Sequence, residues 1–222
     1  MPTIEEIKET ADHSALVRKA LQGAAFLAPI DADIIDSLTD SEGAFNALPP
    51  EYMPVGLVSK DDGYTFGAST DTAEVTSMGY ASPVRIDIVS QQLTIAMTAQ
   101  ETNRTTLQLA YGMDLSGVEA DSTSGEMSWD RPDIPADIYM RLIVISADGF
   151  AANAWAMGRH FPRVKVTELG DVTWSDGDAI TYAVTMTAFP DAEEGFSERS
   201  FIAGPGALAM AESMGFSVAS GG

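Results

Sequence analysis

The chain has 222 residues, 45% of them hydrophobic, with mean hydropathy near zero. That is enough apolar material for one large domain with a core, and it excludes a wholly disordered chain. Twelve Lys and Arg stand against 33 Asp and Glu, a net charge of −21, which excludes holding nucleic acid through its phosphates. With no cysteine there are no disulfides, thiol nucleophiles or thiolate metal sites.

In chain order, Thr3-Ile-Glu-Glu6 has the spacing of a capping box, and Ile4, Ile7, Ala11 and Ala15 follow at helical spacing. The pattern predicts a helix over 4–21, stopped at Gly23, that either packs on its own domain or docks on a neighbouring subunit. No basic-then-apolar leader and no membrane-length apolar run are present, so no membrane association is expected. Residues 24–30 read as a short strand ended at Pro29. From 31 to 62 the chain is acidic and turn-rich. Asp31, Asp33 and Asp36 suggest calcium, but Asp36 stands where a calcium loop needs glycine, so a solvated loop is expected. Asp61-Asp62-Gly63 predicts a hairpin turn between Val55–Ser59 and Tyr64–Phe66. Residues 43–80 read as one long excursion from the sheet, separable from the core.

Two half-buried strands follow. Val84, Ile86 and Ile88 alternate with Arg85 and Asp87, and Leu93, Ile95, Met97 and Ala99 alternate with smaller polar residues. Glu101-Thr-Asn-Arg104 opens a segment closing at Gly112, read as a helix capped by Thr102 or Asn103, with a third strand as the alternative. After a polar linker (113–125) and Met127–Trp129, Ile138–Ile145 is nearly all apolar, as in a central strand covered on both faces. Ala151–Met157 and Arg163–Thr167 are predicted as separate strands. In the second, Val164 and Val166 face the core while Arg163 and Lys165 face away. Strands at 180–189 and 196–202 follow, then a break at Gly204-Pro205-Gly206 and a weakly helical tail, 207–222. The total is nine to eleven strands.

Chemistry is sparse. His13 and His160 are the only histidines, and neither lies in a nucleophile motif or at zinc-ligand spacing. Gly204-Pro205-Gly206 lacks the Lys-Ser/Thr of a phosphate loop. With 33 acids, a pair of carboxylates could be drawn anywhere and carries no specificity. No catalytic, cofactor or metal residues are assigned, and no enzyme is expected.

The order of several segments carries more than any one of them. Leu48-Pro-Pro-Glu-Tyr52, Val55-Gly-Leu-Val-Ser-Lys-Asp-Asp-Gly-Tyr-Thr-Phe66, Pro83-Val-Arg-Ile-Asp87, and Glu101-Thr-Asn-Arg104 with Leu107 and Tyr111-Gly112 resemble the major tail tube proteins of long-tailed bacteriophages, especially those of actinobacterial hosts. Gly204-Pro205-Gly206 after Asp191…Gly195 fits as well, whereas Gly79-Tyr80 departs from the tryptophan-glycine of many relatives. The likeness spans about 24–206.

The resemblance implies a mainly β fold of two packed sheets, a β-sandwich or split barrel, with a flanking helix. It divides the chain into an N-terminal helical arm (1–23), a β domain (24–206) with 43–80 as a stacking loop, and a C-terminal tail (207–222). It implies homo-hexameric rings stacked into a tube in the virion, assembled in the host cytoplasm. Implied partners are the tape-measure protein, the tail terminator and distal tail proteins, and phage DNA in transit without specific binding. Arg85, Asp87, Arg163 and Lys165 become candidates for the lumen or an inter-subunit face. The runner-up is a non-enzymatic β-sandwich module that binds or decorates a virion.

Overall fold

Two strands of fifteen residues organise the chain, which the computed structural model describes over residues 2–133 and 136–219. In chain order the elements are α1 (Ile4–Ala11), β1 (Gln22–Pro29), β2 (Met53–Pro54), β3 (Tyr64–Val75), β4 (Arg85–Ala99), α2 (Arg104–Tyr111), β5 (Met140–Asp148), β6 (Trp155–Leu169), β7 (Tyr182–Ala188), β8 (Arg199–Ala203) and α3 (Pro205–Met210). The protein is mainly β. All strand pairs are antiparallel, in the order β2-β1-β5-β6-β7-β4-β3, with β8 beside β6. Where the resemblance implies two packed sheets, the described residues form one continuous eight-stranded sheet.

The reason lies in β6, whose two halves have different neighbours on one side. Ala156–His160 pairs with β8, and Val164–Leu169 pairs with β7. The register against β5 slips between Leu142/Phe161 and Met140/Val164, which accommodates Pro162 inside the strand. Proline cannot donate to a ladder and is tolerated at such bulges. That is why the predicted strands 151–157 and 163–167 are one strand; the two predicted strands at 84–88 and 93–99 are likewise one, β4, and the total falls to eight.

The sheet curls so that β1, β4, β5, β6 and β7 share one core. Ile95, Met97, Leu142, Phe161, Val164, Val184 and Met186 are buried there together. A second core lies on the other face of β5, where Ile143 packs with Ala28, Ile35, Leu38 and Tyr52. The alternation predicted for Leu93–Ala99 and for Val164/Val166 positions these residues as expected.

The segment 55–59 closes the curl. Val55 N–H donates to the Ala25 carbonyl at 2.9 Å, Ser59 N–H to Thr98, and Gln100 N–H to Leu57. Thus 55–59 ties β1 to β4, and the predicted hairpin with Tyr64–Phe66 does not form; β3 pairs with β4 instead. Tyr52 and Val55 are both core residues, so 43–63 contributes to the core of the body.

α1 is half as long as predicted. Thr3 and Glu6 form the capping box, Thr3 N–H donating to Glu6 at 2.7 Å and Glu6 N–H to Thr3 at 3.2 Å. The helix ends at Ala11 because the chain beyond it is captured by the body. Leu21 N–H donates to the Ala147 carbonyl, Lys19 N–H to Asp148, and the Arg18 guanidinium lies 4.1 Å from the Trp155 ring centroid. α2 confirms the helical reading of 101–112. Asn103 caps it by accepting from Thr106 N–H at 2.9 Å, and Gly112 ends it in the left-handed conformation, φ 62°. The tail turns helical at α3; its last residues, 220–222, lie outside the described residues.

Candidate assembly interface

Beyond the body, β3 and β4 run on as a free hairpin. β7 accompanies β4 only from Ala99 back to Leu93, opposite Ala188. The remaining eight residues of β4, back to Arg85, pair with β3 alone, and at about 3.3 Å per residue they extend roughly 25 Å. The register slips between Asp71/Ser90 and Thr72/Ile88, leaving Val89 as the extra residue of a bulge.

The register also fixes the faces. Phe66 opposes Ile95 in the core, and the same face continues through Thr70/Gln91, Thr72/Ile88 and Glu74/Ile86. The apolar face of the core is therefore carried out along the arm with nothing over it. Ile86 is 59% and Ile88 73% exposed, and Val84 and Val89 are exposed as well. The expectation that Val84, Ile86 and Ile88 are buried is corrected here, because no covering layer lies over them among the described residues. One sequence signal points to this. Their partner run, Ser69-Thr-Asp-Thr-Ala-Glu74, has no apolar alternation with which to complete a buried face.

Arg85 and Asp87 lie on the opposite face of the arm, where Arg85 Nε donates to both Asp87 carboxylate oxygens at 2.8 Å. The pair is exposed and contributes little to the monomer's stability. Arg163 and Lys165 are elsewhere, on the body. Both face away from the main core, as predicted, and converge on Tyr139: the Arg163 guanidinium is 4.0 Å and Lys165 Nζ 5.9 Å from its ring centroid. Lys165 also pairs with Asp137 at 2.6 Å, and that hydrogen bond raises its pKa above the ordinary lysine value. Tyr139 meets Phe189 edge-on at 5.6 Å. The four candidate residues thus form two separate groups, and sequence reading missed the Tyr139 platform that gathers the second.

The motif residues around α2 have a structural task. The Val55 carbonyl accepts from Thr106 Oγ1 at 2.7 Å and from Asn103 Nδ2 at 2.9 Å, and Glu101 accepts from Leu57 N–H at 2.8 Å. Glu101, Asn103 and Thr106 therefore pin the segment that closes the curl of the sheet.

The three calcium candidates do not converge. Among the described residues no group of three or more His, Asp or Glu could hold a metal ion, and Asp36 instead pairs with Arg199. No described helix is long and apolar enough to cross a membrane.

Compared with known proteins, residues 9–198 match the family model described as phage tail tube protein. The chain belongs to the phage tail tube protein family. It is a structural component of the phage tail. No curated protein sequence matches this tail tube protein. A solved structure titled "Crystal structure of Hcp protein" is similar over 81% of this chain and 98% of that one, at 7% identity and a TM-score of 0.30.

Proposed function

We propose that this tail tube protein assembles through its own copies into six-membered rings that stack into a tube, with the β3–β4 arm as the main stacking element. The observation that carries this reading is the uncovered apolar stripe of Val84, Ile86 and Ile88 on a hairpin with both edges open. An exposed, proline-free, β-branched strand is an aggregation hazard unless a defined partner covers it. Placed on a neighbouring copy, the stripe becomes buried area and the open edge becomes a ladder. A head-to-tail contact of that kind repeats without limit along an axis.

Arg85 and Asp87 then belong to the inter-subunit surface, since they share the arm. Arg163, Lys165 and Tyr139 form a second, smaller contact candidate on the body. The tube encloses the tape-measure protein first and passes DNA afterwards. A chain of net charge −21 favours sliding over holding, because the phosphates find few cations to displace their counterions. Tail terminator and distal tail proteins cap the two ends, assembly takes place in the host cytoplasm, and no catalysis is involved.

Electron microscopy of the concentrated protein tests this. Rings with six subunits, or hollow tubes, are expected. A protein that stays monomeric at every concentration, and also with tail-initiation partners added, would overturn the reading.

A further inference from the structure

α1 is an amphipathic helix without a surface to lie on. Ile4 is 86% and Ile7 56% exposed, Ala11 lies on the same side, and no residue of the helix is buried. Eight residues are too few for a helix to hold together in water by its own hydrogen bonds, even with a capping box. The helix and its cap carry Glu5, Glu6, Glu9 and Asp12 against the single cation Lys8.

A groove of about 460 Å³ on the body has the complementary character. It lies between the start of β1, the 57–63 segment, and β5 and β6. Its floor is apolar, with Phe66 and Val144, and Leu21 and Leu57 are exposed at its edges. Lys60 and Arg159 line it and no carboxylate does, in a chain where acids outnumber Lys and Arg by 33 to 12. Lys60 has no ion pair among the described residues, while Arg159 rests on the Phe66 ring and reaches Glu198 at 3.4 Å. The Tyr64 hydroxyl, at the same groove, is buried with no hydrogen-bond partner.

We infer that α1 of one copy docks in this groove of a second copy, with Ile4 and Ile7 on the apolar floor and its carboxylates facing Lys60 and Arg159. The inference rests on self-assembly as proposed above and adds the contact that links neighbouring subunits. Charge complementarity selects the occupant: of the uncovered segments, α1 is the one that is both apolar on one side and strongly acidic on the other. The contact is heterologous, helix of one copy into groove of the next, and gives a closed ring where the rotation between copies closes.

The absence of cysteine makes a clean test possible. One preparation carries Thr10→Cys in α1, another carries Ser59→Cys at the groove, and the two are mixed under assembly conditions and treated with a short bis-maleimide. A cross-linked dimer several-fold more abundant in the mixture than in either variant alone is expected. Lys60→Glu should reduce the cross-link about tenfold at low salt, and adding Glu9→Lys to the Thr10→Cys copy should restore part of it. Tubes that form without the cross-link overturn the docking and leave the tube reading intact. A Thr10→Cys/Ser59→Cys chain that cross-links only within monomers also overturns it, in favour of the chain's own α1. Failure of the unsubstituted protein to form rings or tubes overturns both.

Discussion

Thr106 donates its hydroxyl to the Val55 carbonyl at 2.7 Å, and both residues are fully buried. This bond joins α2 to the segment that closes the curl of the sheet, and Asn103 donates to the same oxygen. Thr106→Val keeps the shape and removes the donor. It should cost about 1–2 kcal/mol in denaturant unfolding, since Asn103 still satisfies the carbonyl. Asn103→Ala with Thr106→Val leaves the carbonyl orphaned, so the double variant should lose more than the sum of the singles. A purely additive double variant would show that the two bonds are independent.

Gly56 is held next to that pin with φ 98°, a region that disfavours any side chain, and a Cβ there would lie 2.5 Å from a Glu101 carboxylate oxygen. Gly56→Ala combines backbone strain with displacement of the group that accepts from Leu57 N–H. A loss of about 2 kcal/mol or more is expected in equilibrium unfolding. A change below about 0.5 kcal/mol would mean that Glu101 swings away freely and that its bond to Leu57 adds little.

Local chemistry was readable from the sequence wherever the cause is local. The Thr3/Glu6 capping box, the Asn103 cap, the Gly112 stop and the turn at Gly63 each depend on a few neighbouring residues, and each is in place. Partnerships were not readable. The turn at Asp61-Asp62-Gly63 is real, but Val55–Ser59 bonds to Thr98–Gln100, some forty residues on, and not across the turn. Alternation identified Ile86 and Ile88 as one face of a strand, yet no periodicity says whether the chain itself covers that face. The sequence reads 151–157 and 163–167 as separate strands, whereas the bulge at Pro162 that lets them be one depends on the register of the partner strand β5. For the candidate site, the outward direction of Arg163 and Lys165 was legible, whereas their meeting on Tyr139 depends on how 136–139 folds back over β6.

His160 is fully buried between Tyr52, 6.2 Å away ring to ring, and the Arg141 and Arg199 side chains, with Asp36 beyond Arg199. Burial, reinforced by the Arg141 charge, pushes its pKa down to about 4; the Leu142 backbone offsets this only in part, and neither ring nitrogen makes a hydrogen bond of good geometry. The unfolded chain takes up this proton near pH 6.5 and the folded one only near 4. Stability therefore falls as pH drops from about 6.5 to about 4 and levels off below, by about 3 kcal/mol in all at 1.36 kcal/mol per unit. His160→Leu should remove this component. Unfolding free energies of both proteins at pH 7 and pH 4.5 isolate it, because the many carboxylates cancel in the difference. An equal pH dependence in the two proteins would show that His160 is protonated inside the fold without penalty.

Ile86 and Ile88 touch nothing that holds the monomer together, so stability and assembly should separate at these positions. Ile86→Asp with Ile88→Asp should change the unfolding free energy by less than about 1 kcal/mol, the usual range for exposed substitutions. The same variant should lose tube formation, because two carboxylates would enter a buried contact without partners. Sedimentation and electron microscopy read assembly, and thermal unfolding reads the fold. Arg85→Ala offers the contrast, since it removes only one member of an exposed ion pair on the opposite face and should weaken assembly far less. Tubes of normal length from the double aspartate variant would place the stacking contact on another surface. Loss of the folded monomer would mean that the arm's apolar face packs against its own body.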